Sequence, residues 1–477
     1  MTESLKSKSV IDPETSTIQG ENLASNPNSN HSTYKGKIFR DPLHDLIEVE
    51  CPIAFKIINS EAFQRLREIR QLGLAYLVYP GAEHSRFTHS IGAFHIANQV
   101  VQHINEKSLN RTNLPFDDFK KKLVTLSALV HDIGHGAFSH LFEHISKKLL
   151  PQKYIDHEKW TQMIVCSNSE ISTILKEVEG LQEKMLEVCN KSYKPHYVVE
   201  LISSQLDVDR FDYLLRDSLM TGAKDSNFDL PWIINNLKVE KHTDKDIEII
   251  AIDGRRGTSA VDKYILGRYF MYKQVYLHKT IRAAERMLLS ILMRIVDLVK
   301  DKKLEPIHPI FLSFAKNEPP SLEDYLSVTD FKILTWIDEL SSSSDSILKD
   351  LCARFKKRML FGAIVLPKMS KSDYFSKLSE LQKLVSSEGF DHTYYALEDV
   401  SECIAYKDLS FFQNTSKEER SAYEEIYYLD SNGKVCQFSL STNSVIAQSK
   451  ASLVFEEERW YVPKEIIEKA YKLVYNK

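Results

Sequence analysis

The sequence predicts a mainly α fold, a helical core carrying a small hairpin and followed by a smaller α+β region. Three observations predict it. Apolar residues recur at helical spacing through the middle of the chain, glycines such as Gly73, Gly134 and Gly136 close those runs, and strand-like runs gather in about the last hundred residues. A chain of 477 residues is also long enough to bury a large core and to form two or three domains.

Residues 1–33 are rich in Ser, Asn, Glu and Thr and nearly free of aromatics, so they cannot bury enough apolar area to offset ordering entropy. They are expected to be disordered. The segment KIFRDPLHDLIEVE then reads as a short strand pair or ordered loop, and CPIAFKIINSEAFQRLREIRQLG as helix closed by Gly73. In FKKKLVTLSALVHDIGH, Leu123, Leu126, Leu129 and Val130 share a helical face, and Gly134 and Gly136 break the helix just past His131 and Asp132. VVELISSQLDVDRFDYLLRDSL reads as helical, and helical periodicity runs without interruption from about Ser259 to Val299. Between them KVEKHTDKDIEIIAIDGRRG predicts a hairpin turning at Asp253-Gly254. HPIFLSFAKNEPPSLEDYLSVTD reads as a Pro-containing connector. The expected division is a main helical domain over 34–335 and an α+β region over 336–477 that serves assembly or regulation.

With 43% hydrophobic and 27% charged residues and a formal charge of −4, the chain has no global basic field, which argues against nucleic acid or an anionic membrane as partner. Six scattered cysteines without a CxxC read as reduced thiols, and no run of about 18 apolar residues suggests a membrane span. A cytoplasmic protein is expected.

Nine of the 16 histidines lie between His84 and His157, more than an ordinary core needs. His131-Asp132 ends a strongly apolar helix, where a buried polar pair must find partners or a metal. The second His-Asp dipeptide, His44-Asp45, lies in a Pro-containing loop and is expected to be satisfied by solvent.

RFTHS, LVHDIGHGAFSHLFE, DHEKW and DVDRFDYLLRD, in that order, resemble the HD-domain deoxynucleoside triphosphate triphosphohydrolases. The resemblance covers about residues 37–290 and makes 34–335 an HD phosphohydrolase domain. It implies metal ligands at His89, His131, Asp132 and Asp209, a mixed N/O set suited to a divalent ion (Mn, Fe, Mg, Co, Ni or Zn). It implies a second group at His135, His140, Glu143 and His157. There His140 serves as general acid or orienting base, Glu143 positions it, and His135 and His157 donate to phosphate oxygens.

The same resemblance implies substrate contacts from Gln71, Leu72, Arg86, Arg210, Tyr213, Asp217 and Tyr276, the arginines on phosphate and Tyr276 against the sugar. Family members are oligomeric and nucleotide-activated, which implies a dimer or tetramer with regulatory contacts at Lys37, Asn59, Gln64, Arg67 and Lys279. Asn59 stands where the mammalian member has an acid, so the activating base need not be guanine. The implied activity is hydrolysis of a dNTP to deoxynucleoside and triphosphate. Two alternatives stay open: hydrolysis of another nucleotide or phosphate ester, and a nucleotide-sensing module with a vestigial site.

Overall fold

The computed structural model describes residues 36–109, 115–242, 245–404, 406, 425–449 and 453–475, and the segment 1–33 lies outside them. The first ordered element is an antiparallel hairpin, β1 (Lys37–Asp41) and β2 (Asp45–Val49), paired from Lys37↔Val49 to Asp41↔Asp45. Ile47 and Val49 alternate inward with exposed Leu46 and Glu48, the two-residue period of a strand with one buried face. The helix Pro52–Asn59 and two short turns lead to the loop bearing Gln71 and Leu72.

Three helices then form the centre of the first core: Arg86–Lys107, Asp118–Val130 and Val208–Thr221. Asp117 caps the second and Asp207 the third through backbone N–H groups, and Gly222 closes the third in the left-handed region that glycine favours. Leu123, Leu126, Leu129 and Val130 are fully buried. At about 1.5–3 kcal/mol for each such side chain, that face fixes the end of the helix where His131 follows with helical backbone angles.

The expected uninterrupted helix from Ser259 to Val299 is broken. Thr258–Met271 passes into a π turn over Tyr272–Tyr276, and a new helix, Lys279–Lys300, begins after extended His278. The apolar period carries through the break because both halves face buried cores, so periodicity alone could not reveal it. The hairpin β3 (Leu237–His242) and β4 (Ile247–Asp253) also differs from expectation: its connection lies between His242 and Ile247, and Asp253-Gly254 follows it. Asp253 there accepts from the Arg255 N–H at 3.1 Å, turn chemistry that leads into the next helix. The expected connector after His308 holds two short helices, Pro309–Ala315 and Leu322–Leu326.

The α+β region follows as predicted. β5 (Gly362–Val365) and β6 (Leu397–Ile404) flank a later strand, and β7 (Tyr427–Leu429) and β8 (Val435–Gln437) extend the β3–β4 hairpin in the order β3-β4-β7-β8. β9 (Val454–Val462) lies between β5 and β6, antiparallel to both. A second core forms on the Lys279–Lys300 helix and includes Trp460, Tyr461 and Val462.

Glu200 is buried under β4, where it accepts from the Ile250 N–H at 2.6 Å, and burial pushes its carboxyl up to about 8. The folded state thus holds this proton more tightly than the unfolded chain, so stability declines as pH rises from the ordinary carboxyl range through about 8, the reverse of a salt-bridged acid. Glu200→Gln keeps an acceptor for Ile250 and removes the titration. Thermal melts should show the variant more stable than the parent at about pH 9, by up to a few kcal/mol at about 1.4 kcal/mol per tenfold change in proton affinity.

Candidate active site

The Arg86–Lys107 helix carries Arg86 and His89 in its first turn, and the Val208–Thr221 helix carries Asp209 in its own. Their crossing brings both against His131 and Asp132. His89 Nε2 lies 3.3 Å from His131 Nε2 and 3.1 Å from Asp209 Oδ1, and His131 Nε2 lies 3.3 Å from the same Asp209 oxygen. Asp132 completes the group, with Oδ1 3.3 Å from His131 Nε2 and Oδ2 3.5 Å from His89 Nε2. Two imidazole nitrogens and two carboxylates therefore converge, with donor atoms of His89, His131 and Asp209 all within 4.8 Å of one another.

Electrostatics favour a cation at that point. Burial opposes charge on His89, yet Asp209 and Asp212 overcome it and raise the imidazole to about 10, while Asp209 and Asp132 are held below the usual carboxylate range. A cluster that draws a proton onto buried His89 suits a divalent ion, which supplies that positive charge and needs the imidazoles neutral.

The far nitrogens are fixed too. His131 Nδ1 donates to the Ala128 carbonyl at 2.7 Å, and His89 Nδ1 faces Asp212 Oδ2 at 2.8 Å, which leaves both Nε2 lone pairs aimed inward. Asp212 is fully buried and also accepts from Arg216 Nε at 2.8 Å and from His44 Nε2 at 2.7 Å. Arg216 in turn pairs with Asp41 at 2.7 Å, and Asp41 accepts from the Leu43 and His44 N–H groups. Gly92 gives this network room, since a Cβ there would stand 2.0 Å from Asp212 Oδ1.

The expectation that solvent satisfies His44 is therefore corrected: its side chain is 8% exposed and bonds the carboxylate that orients His89. A loop dipeptide on paper carries no sign of the helix it docks on. Asp212, Arg216 and Asp41 were also missed, although Asp209, Asp212 and Arg216 share one helical face at spacings of three and four. Asp212→Asn removes charge from this ring while leaving every ligand in place. Metal titration should show affinity reduced about 10- to 100-fold, with the four inner residues still able to bind.

The second group sits on the loop after Asp132 and the two helices beyond it, His140–Leu149 and His157–Ser167. His135 stacks on His157 at 4.0 Å between ring centres, and His140 meets His135 edge-on at 5.1 Å. Glu143 bonds His157 Nδ1 closely and accepts its backbone N–H at 3.1 Å, while His140 Nδ1 stands 3.6 Å away. Burial pushes Glu143 up, but His140 and His157 hold it far below the usual carboxylate range. Burial likewise opposes charge on His157, and Glu143 raises it nonetheless. His135 is held low by burial and by the neighbouring Arg86 and His157 charges. His140 is the exposed member, with 64% of its side chain open to solvent.

The loop that joins the two groups is held from several sides. Arg65 donates to the Ile133 and His135 carbonyls, Tyr325 to the Gly134 carbonyl, and Asp330 accepts from the Phe138 N–H. Gly134 is pressed so close that a Cβ would lie 2.3 Å from the Thr161 nitrogen.

One cavity of about 530 Å³ takes in the second group and reaches the first through Asp132 and Asp209, with His89 and His131 behind its wall. Gln71, Leu72, Arg86, Arg210, Tyr213, Asp217 and Tyr276 all line it, as do Asp132, Asp209, His135, His140, Glu143 and His157. Arg86 bonds Asp132 and reaches Ser139 Oγ at 2.8 Å, Arg210 pairs with Asp207, and Asp217 accepts from Tyr276 at 2.8 Å and from His84 at 2.7 Å. The π turn is what carries Tyr276 to Asp217. Strand β6 contributes Val400, Ser401 and Glu402, which sequence reasoning did not place here because they lie over a hundred positions downstream.

None of Lys37, Asn59, Gln64, Arg67 and Lys279 lines this cavity. Asn59 bonds the Phe55 carbonyl, Gln64 accepts from Arg67, and Arg67 lies 3.5 Å over the Phe87 ring. Lys37 begins β1 and Lys279 begins the helix after the π turn.

The family model of the HD domain matches residues 86–217, the span from Arg86 to Asp217. The chain is 35% identical over 433 residues to protein YwfO of Bacillus subtilis, covering 90% of this chain and 93% of that one. The chain belongs to the HD-domain phosphohydrolase family. Among the family's solved structures, a phosphohydrolase from Bacteroides thetaiotaomicron superposes with a TM-score of 0.73 at 26% identity, over 90% of this chain and 100% of that one. The human deoxynucleoside triphosphate triphosphohydrolase SAMHD1 is 30% identical over 291 residues, 55% of this chain and 45% of its own length, so the match spans less than half of that enzyme. The chain is a metal-dependent HD phosphohydrolase, and no helix among its described residues is long and apolar enough to cross a membrane.

Proposed function

We propose that this HD phosphohydrolase hydrolyses dNTPs to deoxynucleoside and triphosphate. What supports the reading most is one cavity that joins Asp132 and Asp209 of the metal cluster to the histidine group and to Gln71, Leu72, Tyr213, Asp217 and Tyr276. Asp217 presents a buried carboxylate suited to a sugar hydroxyl, and the Tyr276 ring beside it would crowd a ribose 2′-hydroxyl.

His89, His131, Asp132 and Asp209 would hold the divalent ion. When bound, the ion would supply positive charge to a phosphoryl oxygen and make water a stronger acid. Arg86 and Arg210 would carry phosphate oxygens at the cavity wall, as bidentate cations do. His140, exposed and lining the cavity, would deliver the proton to the departing 5′-oxygen as water adds to the α-phosphorus, and His135 and His157 would steady the phosphate charge. The products are then a deoxynucleoside with its 5′-hydroxyl restored and an intact triphosphate.

Lys37, Asn59, Gln64, Arg67 and Lys279, all outside this cavity, are assigned to a regulatory nucleotide, and a cytoplasmic homo-oligomer, dimer or tetramer, is the form in which it would act. Residues 336–477 would support that assembly or its regulation. The test is a panel of dNTPs, ribonucleotides and nucleoside monophosphates with Mn²⁺, Co²⁺ or Mg²⁺, each dNTP also tried as activator of the others. Triphosphate release from dNTPs is expected, and release of orthophosphate without triphosphate would overturn the reading.

A further inference from the structure

Beside the first cavity lies a second, of about 490 Å³, between the His140–Leu149 helix, the Lys279–Lys300 helix and the start of β6. Its charged and titratable lining is His144, Lys147, Lys148, Arg286, His392 and Glu398, three basic side chains other than histidine against one carboxylate. Glu398 is already engaged by the Tyr374 hydroxyl at 2.5 Å. Lys147 and Lys148 form no ion pair among the described residues, and Arg286, which shares Asp399 with Arg282, keeps a buried Nε without a hydrogen-bond partner.

With Asp399 set against Arg286, the lining still holds two exposed lysines against Glu398, an excess of positive charge that a bound anion would neutralise. The neighbouring groups register the same excess. Desolvation at the pocket wall, then Arg286 and Arg282, hold His144 down at about 4, and desolvation and Arg286 lower Lys148 despite Glu398. Neither lysine belongs to the catalytic constellation, so the reaction itself does not account for them.

We propose that this pocket binds a polyphosphate chain, with Lys147, Lys148 and Arg286 as its cationic wall. Arg286, Lys147 and Lys148 all line the pocket, Lys147 with its ammonium also 5.8 Å from the Tyr154 ring centre, and a linear polyanion is the ligand shape suited to all three. His144 lines both cavities, and Asp399 ties Arg286 to Arg282 of the first cavity at 2.7 and 2.5 Å. Val400, Ser401 and Glu402, next along the same strand, line that first cavity, so an anion that draws Arg286 from Asp399 acts directly on the active-site wall. The inference stands on the pocket and goes beyond the dNTP reading; it holds whichever phosphate compound the active site takes.

The chain could belong to a triphosphate product or to a nucleotide effector, and one titration separates them. Inorganic triphosphate is titrated calorimetrically into the full metal-loaded protein with excess Mg²⁺, in parallel with a non-hydrolysable dNTP analogue. Two classes of site are expected for triphosphate. The exposed-surface double variant Lys147→Ser/Lys148→Ser should lose one class or weaken it at least tenfold, keep the other, and keep the basal phosphohydrolase rate. If the analogue binds the lysine-dependent class at least tenfold tighter than triphosphate, the occupant is a nucleotide; equal or weaker binding assigns it to the phosphate chain alone. An isotherm unchanged by the double substitution overturns the proposal. Binding is read apart from turnover, so failure of dNTP hydrolysis would leave this result standing.

Discussion

Asp209→Ala should yield folded protein that retains little metal and has lost at least about 10³-fold in phosphohydrolase turnover. Asp209 Oδ1 stands 3.1 and 3.3 Å from the two inward imidazole nitrogens, so its removal opens the cluster at its centre. The ion's contribution to a phosphoryl transition state is several kcal/mol, and about 4 kcal/mol corresponds to that factor. Metal analysis of the purified variant beside the parent, with circular dichroism as the control for folding, checks both parts. Full metal content with unchanged turnover would remove the cluster from the mechanism.

His140→Ala is expected to separate metal binding from chemistry. The side chain is the exposed member of the second group, whose four residues also stand close enough to hold an ion, and it is not part of the His89, His131 and Asp209 set. Metal content should match the parent while kcat falls about 10²- to 10⁴-fold, the range of a positioned proton donor, with KM little changed. Glu143→Gln should lower kcat as well, because Glu143 anchors His157 directly and stands beside His140. Combined, the two substitutions should cost much less than the product of their separate effects, since they disable one unit. A fully multiplicative double variant would show that the two side chains act independently.

The helical core was legible because amphipathic spacing in FKKKLVTLSALV and caps such as Asp117 and Asp207 are local signals. The cluster of His89, His131, Asp132 and Asp209 was legible only as a set of motifs, and its convergence depends on helix crossings that no local pattern states. The break at Tyr272–Tyr276 was hidden since a π turn keeps the apolar residues inward while it redirects one tyrosine. His44 misled for a related reason. Its neighbours in sequence, Pro42 and Asp45 among them, read as a loop, and its neighbours in space, Asp212 and His95, come from helices further along the chain. Strand β6 reaches the cavity from further still, so the wall built by Val400, Ser401 and Glu402 had no signal near the motifs.

The β1–β2 hairpin consists of two five-residue strands, a unit that by itself is barely stable in water. Its turn grips Arg216 through Asp41 and Asp212 through His44, and Asp212 grips His89. Local opening of the hairpin and loosening of the metal cluster are therefore one thermodynamic event seen from two ends. Metal addition should slow amide hydrogen exchange across Asp45–Val49, which holds no ligand, more than across the three-residue strands β7 and β8. Read by mass spectrometry, the hairpin becomes a remote gauge of whether the centre is loaded.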